Sequence, residues 1–581
     1  MVAVDLLSLL QWKEHPDMIQ QALDHVLHLG GEELVKFLQD VLDALFSMFS
    51  TEDGNSTTHS GLVFHALVSI FSLMDDSKFE HFRPVMDAYI KGHFAAALVY
   101  KGLLSSVQHC ADWVSSTEKQ EPIQKCFRSL EYIFKFIIQS RLLFARATGG
   151  QYEDNFKKDL YNVFTALNKM LSSSYDVILP TQCALLHSIS AVYEQLMQVL
   201  PVIEVTKLAT AMLESLPRDL SPQLTQAKLT AIRNLVTSKL FTDDGKYNRQ
   251  FWESRNMLLS ICCKHLRVHL AHRDELRLCT EILGEILTFL FKQRQSQEQG
   301  KVNNCLHHDV EILCLTTLDM LIQTVLIIID RSAAVLGCLV ACLVGLLQLL
   351  DEFHYKRLWE ELGDRKPKKD FLLRVFLVFR DLVKQEVFPA DWLIIKMVIN
   401  NIMLSALQEL AQPLVFDFLD THHFDNQLWS NYFNLAVAYL TQPSLQLEKF
   451  SEVKREKIIE KYGDMRVLMG FQILSMWSNL GNCPTIGENK INFIPSMVGP
   501  FLEVTLVPES ELRKATLHIF FDMMDCEQKA RGNFKQVSFW TCYFIKVRGN
   551  FKQVESELID KLDILISENK GDDEYRQLFN T

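Results

Sequence analysis

The stretch EELVKFLQDVLDALFSMF, residues 32–49, shows the pattern that decides the fold. Its apolar side chains recur at steps of three and four residues, with charged and polar side chains between them. The apolar residues at these steps are Leu34, Phe37, Leu38, Val41, Leu42 and Leu45. This spacing matches the 3.6 residues of a helical turn and predicts an amphipathic helix with one buried face.

The same period returns in three distant segments, at 130–144, 428–440 and 512–524. In the segment 428–440 it places Trp429 and Phe433 on the face that we expect to be buried. A pattern that recurs over so much of the chain predicts a protein built from many amphipathic helices.

Residues that break helices are scarce. Of 581 residues, 22 are Gly and 15 are Pro, against usual frequencies of about 7% and about 5%. About two dozen segments carry the helical period, and no segment is securely predicted to be a strand. The predicted fold class is therefore all-α, as an armadillo/HEAT-like helical solenoid in which each helix pair buries its apolar face on its neighbours. Such repeats are often degenerate, and no internal repeat of about 40 residues is visible here.

Charge and composition disfavour several classes of function. The formal net charge of −12 argues against a nucleic-acid-binding protein, because such proteins carry a clustered basic excess. The 13 cysteines and the absence of a signal-peptide pattern at residues 1–18 predict reduced thiols and a cytoplasmic location. No phosphate-binding loop, dinucleotide fingerprint, nucleophile elbow or zinc-protease motif occurs, so we expect neither an enzyme nor a cofactor.

Residues 333–350 are long and apolar enough to be tested as a membrane span, since Gln348 is their only polar side chain. The flanks lack the Lys/Arg bias and the aromatic belt that accompany a spanning helix. A helix surrounded by other helices is also apolar on every side. We therefore expect a buried helix and, at most, peripheral contact with a membrane.

Side chains of the metal-binding type are spaced at three, four and three residues along one predicted helix. They are Cys262, His265, His269 and His272. Zinc takes such ligands, but the four would span about 15 Å, which one ion cannot bridge. A solvated helix face is the favoured interpretation, and a helical metalloenzyme stays the alternative. Cys338 and Cys342 are expected to fill the core, and the pairs at 307–308 and 422–423 to be solvent-facing histidines.

Two clusters of basic residues are candidate contact sites for anionic lipid or an acidic partner. Lys454, Arg455, Lys457 and Lys461 line one predicted helix, and Arg365, Lys366, Lys368 and Lys369 crowd a predicted loop around Pro367. Basic residues near an anionic membrane gain about 1 kcal/mol each. The alternative is that these charges are merely solvated on an exposed face.

Eight stretches of the chain are individually distinctive. They are GGEELVKFLQDVLDALF (30–46), KFEHFRPVMDAYIKGHFAAALVYKGL (78–103), LEYIFKFIIQSRLLF (130–144), FPADW (388–392), QLWSNYFNLAVAYLTQPSLQLEKF (427–450), KYGDMR (461–466), FIPSMVGPFLEVTLVPESELRKAT (493–516) and GDDEYRQLF (571–579). In this order they resemble the dedicator-of-cytokinesis (DOCK) family of Rho-GTPase exchange factors, on the branch that acts on Rac. The resemblance is thinnest between about 170 and 370, and it leaves the paralogue open.

This resemblance implies a division of the chain into three parts. Residues 1–530 would be an armadillo-like helical region, and residues 555–581 the first helices of an exchange domain whose catalytic lobes lie beyond the chain. No catalytic residue can therefore be assigned, and the chain is expected not to be an enzyme itself. Leu558, Leu562 and Leu565 form an apolar stripe for self-association as a homodimer. The parent protein would engage a Rac-type small GTPase and an ELMO-type scaffold. It would act on the actin cytoskeleton in cell migration. It would also be recruited from the cytoplasm to the plasma membrane.

The segment between these two parts contains a duplication. RGNFKQV occurs at 531–537 and returns 17 residues later, at 548–554. Removing 17 residues across the two copies restores a continuous helical pattern, so 531–554 is interpreted as a splice or gene-model insertion. A free-standing solenoid adaptor that binds protein partners remains the alternative to the exchange-factor scaffold.

Overall fold

The structure, a computed structural model, describes most of the chain in blocks separated by short gaps. The described ranges are 7–28, 30–75, 77–116, 120–242, 249–298, 305–328, 334–384, 392–419, 424–481, 489–494 and 496–531, followed by isolated positions between 557 and 575. Within these ranges no strand forms, and Ser50 and Ser56 make an isolated antiparallel bridge. The predicted all-α class is confirmed.

The helices follow one another through short connections. In chain order they are α1 (Ile19–His28), α2 (Gly31–Lys36), α3 (Leu38–Phe49), α4 (Ser60–Ser72), α5 (Arg83–Gly92), α6 (Val99–Trp113), α7 (Gln120–Arg128), α8 (Leu130–Thr148), α9 (Glu153–Leu171), α10 (Leu179–Leu196), α11 (Val202–Ser215), α12 (Pro222–Thr237), α13 (Lys239–Thr242), α14 (Arg249–His272), α15 (Leu276–Glu298), α16 (Cys305–Ile327), α17 (Ala334–Leu349), α18 (Glu352–Leu362), α19 (Arg365–Lys384), α20 (Leu393–Asp417), α21 (Asn426–Thr441), α22 (Glu452–Tyr462), α23 (Met465–Asn479), α24 (Val498–Thr505) and α25 (Ser510–Arg531).

The chain divides into two compact units, Met1–Ile312 and Leu313–Thr581. In the first unit, α6 packs on α8 and α9, α10 packs on α8 and α12, and α12 packs on α15. In the second unit, α19 packs on α21, α20 on α23, and α25 on both α23 and α24. These helices thus bury their apolar faces on helices one to three places along the chain, which is the packing of a helical solenoid.

The stretch at 32–49 forms two helices instead of the single predicted one. Phe37 lies between α2 and α3 with φ −119° and ψ 21°, outside helical geometry. The break turns its side chain outward, so Phe37 is 45% exposed, whereas Leu34, Leu38 and Val41 are buried. The prediction that Phe37 belongs to the buried face is wrong, because the regular rotation of 100° per residue does not continue through the break.

An aromatic cluster forms the centre of the second unit. Trp429 and Phe433 have no exposed surface, which confirms the burial predicted from their spacing. The Phe433 ring lies 5.4 Å from the Phe493 ring, 5.7 Å from the Phe501 ring and 6.0 Å from the Trp477 ring, measured between centroids. These rings come from four segments, so one side chain joins α21, α23, α24 and the turn at Asn489–Phe493.

The apolar stretch 333–350 forms α17, nine of whose residues are buried. By length and composition, α16 and α20 are themselves long enough and apolar enough to cross a membrane, and α17 with α18, bent by 108°, would make a third span. Yet α16 carries Asp309, which is buried and accepts a hydrogen bond from the buried Arg255 at 3.0 Å within the first unit. A charge pair buried among the helices of a unit favours a core role for this part of α16.

Candidate interaction surface

The predicted basic patch lies on α22, a helix of eleven residues. Lys454, Lys457 and Lys461 are exposed, Arg455 is half-buried, and Ile458 is buried against the rest of the unit. The helix therefore rests on its apolar side and presents the three lysines to solvent. The structure places all four predicted residues on one element, as the sequence indicated.

An acidic stripe runs beside the lysines. At about 100° of rotation per residue, the three lysines occupy an arc of about 60°. Glu452, Glu456 and Glu460 recur every fourth residue and occupy a neighbouring arc of about 80°. The three lysines therefore form a positive edge of α22 beside a negative one, which makes the surface directional.

The ammonium groups of two of the lysines lie over aromatic rings. Lys454 Nζ lies 5.1 Å from the centroid of Phe450, and Lys461 Nζ lies 5.2 Å from that of Tyr462. An ammonium group over an aromatic face gains a modest electrostatic attraction. These contacts hold two of the three lysines near the helix surface while their charges stay in water.

Arg466 fixes the chain on both sides of α22, and the sequence analysis assigned it no role. It is 3% exposed and donates to Glu448, which precedes the helix, at 2.8 Å and to Asp464, which follows it, at 2.8 Å. Burial alone would lower the pKa of the guanidinium, but the hydrogen bonds to both carboxylates raise it above its usual value. The motif KYGDMR contains Asp464 and Arg466, but their partner Glu448 could not be identified from the motif.

The second basic cluster is not a loop, which corrects the prediction. The helix α19 begins at Arg365, and Pro367 lies in its first turn, where the missing N–H of proline has no helical partner to lose. Lys368 Nζ lies 3.0 Å from Asp417 and Lys369 Nζ lies 2.5 Å from Asp425. These two charges bind helices of their own unit, so they are not an open contact site.

The metal-binding residue types on α14 do not converge. Cys262 has no exposed surface, His269 is 4% exposed, and the His272 side chain is 67% exposed. Among the described residues, no three of Cys262, His265, His269 and His272 bring ligand atoms within 4.8 Å of one another. The prediction of a solvated face is nevertheless wrong for the two central histidines, because His269 is buried and His265 is half-buried in the first unit.

The interior around these histidines is basic. Lys228 of α12 donates to His269 Nε2 at 3.1 Å. Burial, with Lys228 nearby, lowers the pKa of His265 to about 3 and that of His269 to about 4. Burial also lowers the pKa of Lys228 to about 8. Both imidazoles are therefore neutral near pH 7 and sit in a site that resists a second positive charge.

The remaining sequence predictions have mixed outcomes. Cys342 is buried as expected, but Cys338 on the same helix is exposed, so it does not fill the core. His307 and His308 are exposed, as predicted. The histidine pair at 422–423 lies outside the described residues.

The apolar stripe Leu558, Leu562 and Leu565 also lies outside the described residues, as does the duplicated segment beyond Arg531. Self-association through this stripe and the origin of the segment 531–554 therefore stay predictions.

Described neighbours of that stripe pack on α24 and α25. Arg513 has no exposed surface and donates to Asp572 at 3.0 Å and 2.5 Å. Its hydrogen bonds hold the pKa of the Asp572 carboxyl below its usual range. Thr505 and Tyr575 join their hydroxyl groups at 3.1 Å. The motif at 571–579 contains both Asp572 and Tyr575, but their partners Arg513 and Thr505 lie 59 and 70 residues upstream, so no local pattern identifies these contacts.

Comparison with known proteins adds a family assignment to this geometry. The family model described as the dedicator of cytokinesis (DOCK) TPR region matches residues 15–541 and 539–581. The two matches meet within the segment 531–554 that contains the duplication. A family model that extends over nearly all of the chain shows the family of this region.

Curated relatives give the same result. Dedicator of cytokinesis protein 3 of Mus musculus is 41% identical over 594 residues, and its counterpart in Homo sapiens is 40% identical over 597 residues. Dedicator of cytokinesis protein 4 of Mus musculus is 40% identical over 593 residues. Each match covers 99% of this chain but only 27% to 28% of the relative. The chain thus spans little more than a quarter of the length of these relatives.

Proposed function

The chain belongs to the dedicator-of-cytokinesis family, and from this we propose that it is the helical scaffold segment of a Rho-family guanine-nucleotide exchange factor. The observation that carries the proposal is the match of the family's TPR-region model across residues 15–581. Most of the large apolar side chains that the structure describes are buried within the two units, as Phe433 and Trp429 are. A segment of this kind holds other parts of a protein in position.

The parent protein is proposed to act on a Rac-type GTPase, together with an ELMO-type scaffold, in small-GTPase signalling to the actin cytoskeleton. This partner assignment rests on the family relationship with the curated relatives. The chain is proposed to contribute position and stability, while exchange itself requires a surface that contacts the nucleotide and its magnesium ion.

We expect the purified 581-residue chain not to accelerate nucleotide release from Rac. The measurement is the release of a fluorescent guanine nucleotide from Rac, with and without a large molar excess of the chain. Full-length dedicator of cytokinesis protein 3 of Mus musculus serves as the positive control. In a second arm, this chain replaces the matching segment of that relative, and the chimera is expected to keep its exchange activity.

Either of two results would overturn the proposal. Acceleration that increases with the concentration of the isolated chain would place an exchange surface within these residues. A chimera that folds but has lost exchange would show that this segment does not serve as the equivalent scaffold.

We also propose that α22 makes peripheral contact with anionic membranes when the cytoplasmic parent is recruited to the plasma membrane. Three exposed lysines on one edge of the helix support this proposal. Because each lysine near such a surface gains about 1 kcal/mol, replacing Lys454, Lys457 and Lys461 by Gln should weaken binding by up to about 3 kcal/mol. That is roughly a hundredfold in affinity.

The measurement is cosedimentation with phosphatidylserine–phosphatidylcholine vesicles near physiological salt. The matched control replaces Glu452, Glu456 and Glu460 of the same helix by Gln, which should strengthen binding because it removes the neighbouring negative stripe. Equal binding by the lysine and glutamate variants would contradict the proposed role of α22.

A further inference from the structure

A cavity lies among three helices of the first unit. It has a volume of about 340 Å³ and is lined by residues of α4, α6 and α7, which pack on one another. Phe49, the last residue of α3, also lines it. Pockets that hold small ligands have volumes from about 300 Å³ upwards, so this cavity is large enough for one.

The lining combines polar and apolar groups. The wall from α6 carries two hydroxyl groups and an imidazole, those of Ser105, Ser106 and His109. The helices α4 and α7 add apolar surface through Phe64 and Ile123, which are both buried. The cavity therefore suits a molecule that has an apolar body and a hydrogen-bonding group at one edge.

The lining carries no permanent charge. Among the described residues that line the cavity, none has a carboxylate, an ammonium or a guanidinium group. Burial, and then the charge of Lys125, lower the pKa of the His65 imidazole, so this part of the wall stays neutral near pH 7. Lys125 is itself paired with Glu121 at 3.2 Å. A charged ligand would lose its hydration without meeting an opposite charge, so the cavity favours a neutral one.

The hydroxyl groups of the α6 wall are available to a ligand. Within the described part of the chain, the side chains of Ser105 and Ser106 form no hydrogen bond. A buried ligand group that pairs with such a hydroxyl avoids the cost of an unsatisfied polar atom.

Two glycines shape the cavity in opposite ways. Gly102 lets the Phe49 ring approach α6, since a Cβ at position 102 would lie 2.7 Å from Phe49 Cε1. Gly61 leaves space open, because a Cβ there would meet no atom within 4 Å. A larger side chain at position 61 can therefore be introduced without a clash.

We propose that this cavity binds a small, uncharged aromatic molecule that carries a hydroxyl or similar hydrogen-bonding group at one edge. Its aromatic body would lie against Phe49 and Phe64, because aromatic rings attract one another in edge-to-face or offset arrangements. Its polar edge would face Ser105 and Ser106. The site lies entirely within the first unit and adds the binding of a small ligand to the proposed scaffold role.

The test uses the purified full chain and 2-naphthol, an aromatic alcohol that is uncharged near pH 7. We expect calorimetry to give a Kd on the order of 100 µM, as the limited binding free energy per ligand atom allows. Naphthalene lacks the hydroxyl group and 2-naphthoate is charged. Each should bind at least about tenfold more weakly than 2-naphthol.

Protection of a cysteine locates the bound molecule. Cys110 is half-buried and lines the cavity, whereas Cys183 is half-buried and does not line it. At about ten times its Kd, 2-naphthol should slow the alkylation of Cys110 about tenfold. The alkylation of Cys183 should keep its rate.

Filling the cavity should remove binding. Gly61→Phe should lower the affinity for 2-naphthol at least about tenfold, because the new ring takes the space of the ligand. Gly284→Phe on α15 is the matched control. A Cβ at position 284 would also meet no atom within 4 Å, but Gly284 does not line the cavity. This variant should leave the affinity unchanged.

The double variant Ser105→Ala with Ser106→Ala tests the polar wall. It should weaken the binding of 2-naphthol about tenfold and leave that of naphthalene unchanged. A variant that failed to fold would lose both, so this split separates recognition of the hydroxyl from a loss of structure.

The wild-type chain alone can overturn the proposal. Equal affinities for 2-naphthol, naphthalene and 2-naphthoate would show that the lining does not select a neutral molecule with a polar edge. Binding of 2-naphthol that leaves the alkylation of Cys110 unchanged would place the ligand elsewhere. A complete lack of binding at millimolar 2-naphthol would equally exclude the site.

Discussion

Replacing Phe433 by Ala should destabilise the second unit by about 3–5 kcal/mol, because it empties the centre of an aromatic cluster. The Phe433 ring has aromatic neighbours from α21, α23, α24 and the turn before α24, and their centroids lie between 5.4 Å and 6.0 Å away. No single neighbour can fill the space, since each is fixed by the packing of the helix or turn that carries it. The cost therefore includes both the lost apolar burial and the cavity.

The damage should stay close to its origin. In a solenoid, each helix pair contacts mainly its neighbours, so amide hydrogen exchange should accelerate at least about a hundredfold in α21, α23 and α24. Helices of the first unit, such as α10, should keep their exchange rates. Phe416→Ala is the matched control, because Phe416 is 82% exposed and its removal should change stability by less than about 0.5 kcal/mol. Uniform acceleration over both units would contradict a solenoid.

The parts of this fold that the sequence predicted are those that depend on local spacing. The helical period places Trp429 and Phe433 on the same face of α21, and the core then buries that face. The same period predicts the outward lysines of α22. It cannot show where a helix is interrupted without a Gly or Pro, as at Phe37, because the interruption there is decided by packing on other helices.

Contacts between distant residues account for most of what sequence reasoning missed. The residues around Pro367 have the composition of a turn, yet Lys368 and Lys369 belong to a helix. Asp417 and Asp425 neutralise the charges of these two lysines. His265 and His269 have the periodicity of a solvated face, yet His265 is half-buried and His269 is buried beside Lys228 of another helix.

That buried basic site makes the stability of the first unit depend on pH. The pKa values of His265 and His269 are lowered from 6.5 to about 3 and about 4, chiefly by burial and then by Lys228. The unfolded chain therefore binds protons below pH 6.5 that the folded chain does not bind. The stability is fully present above pH 6.5 and is lost as the pH falls towards 4.

The loss of stability of the first unit should already be large at pH values above those at which most carboxylates titrate. At pH 5, protonation of each of the two imidazoles stabilises the unfolded chain by about 2 kcal/mol, at 1.36 kcal/mol per pH unit. Together they should lower the free energy of unfolding of the first unit by about 4 kcal/mol relative to pH 7. Protonation in the folded state cannot offset this loss of stability, since a protonated His269 would place a second cation 3.1 Å from the Lys228 ammonium.

The measurement is urea unfolding at a series of pH values between 7 and 5, with hydrogen exchange of α12 and α14 as a local readout. The double variant His265→Leu with His269→Gln should flatten the pH dependence in this range, because Leu needs no proton and Gln still offers an oxygen to Lys228. His272→Gln is the matched control on the same helix, where the side chain is 67% exposed, and it should leave the slope unchanged. A double variant that loses stability between pH 7 and 5 as steeply as the wild-type chain would show that other groups bind the protons. The burial of these two histidines would then not be the cause of the acid sensitivity.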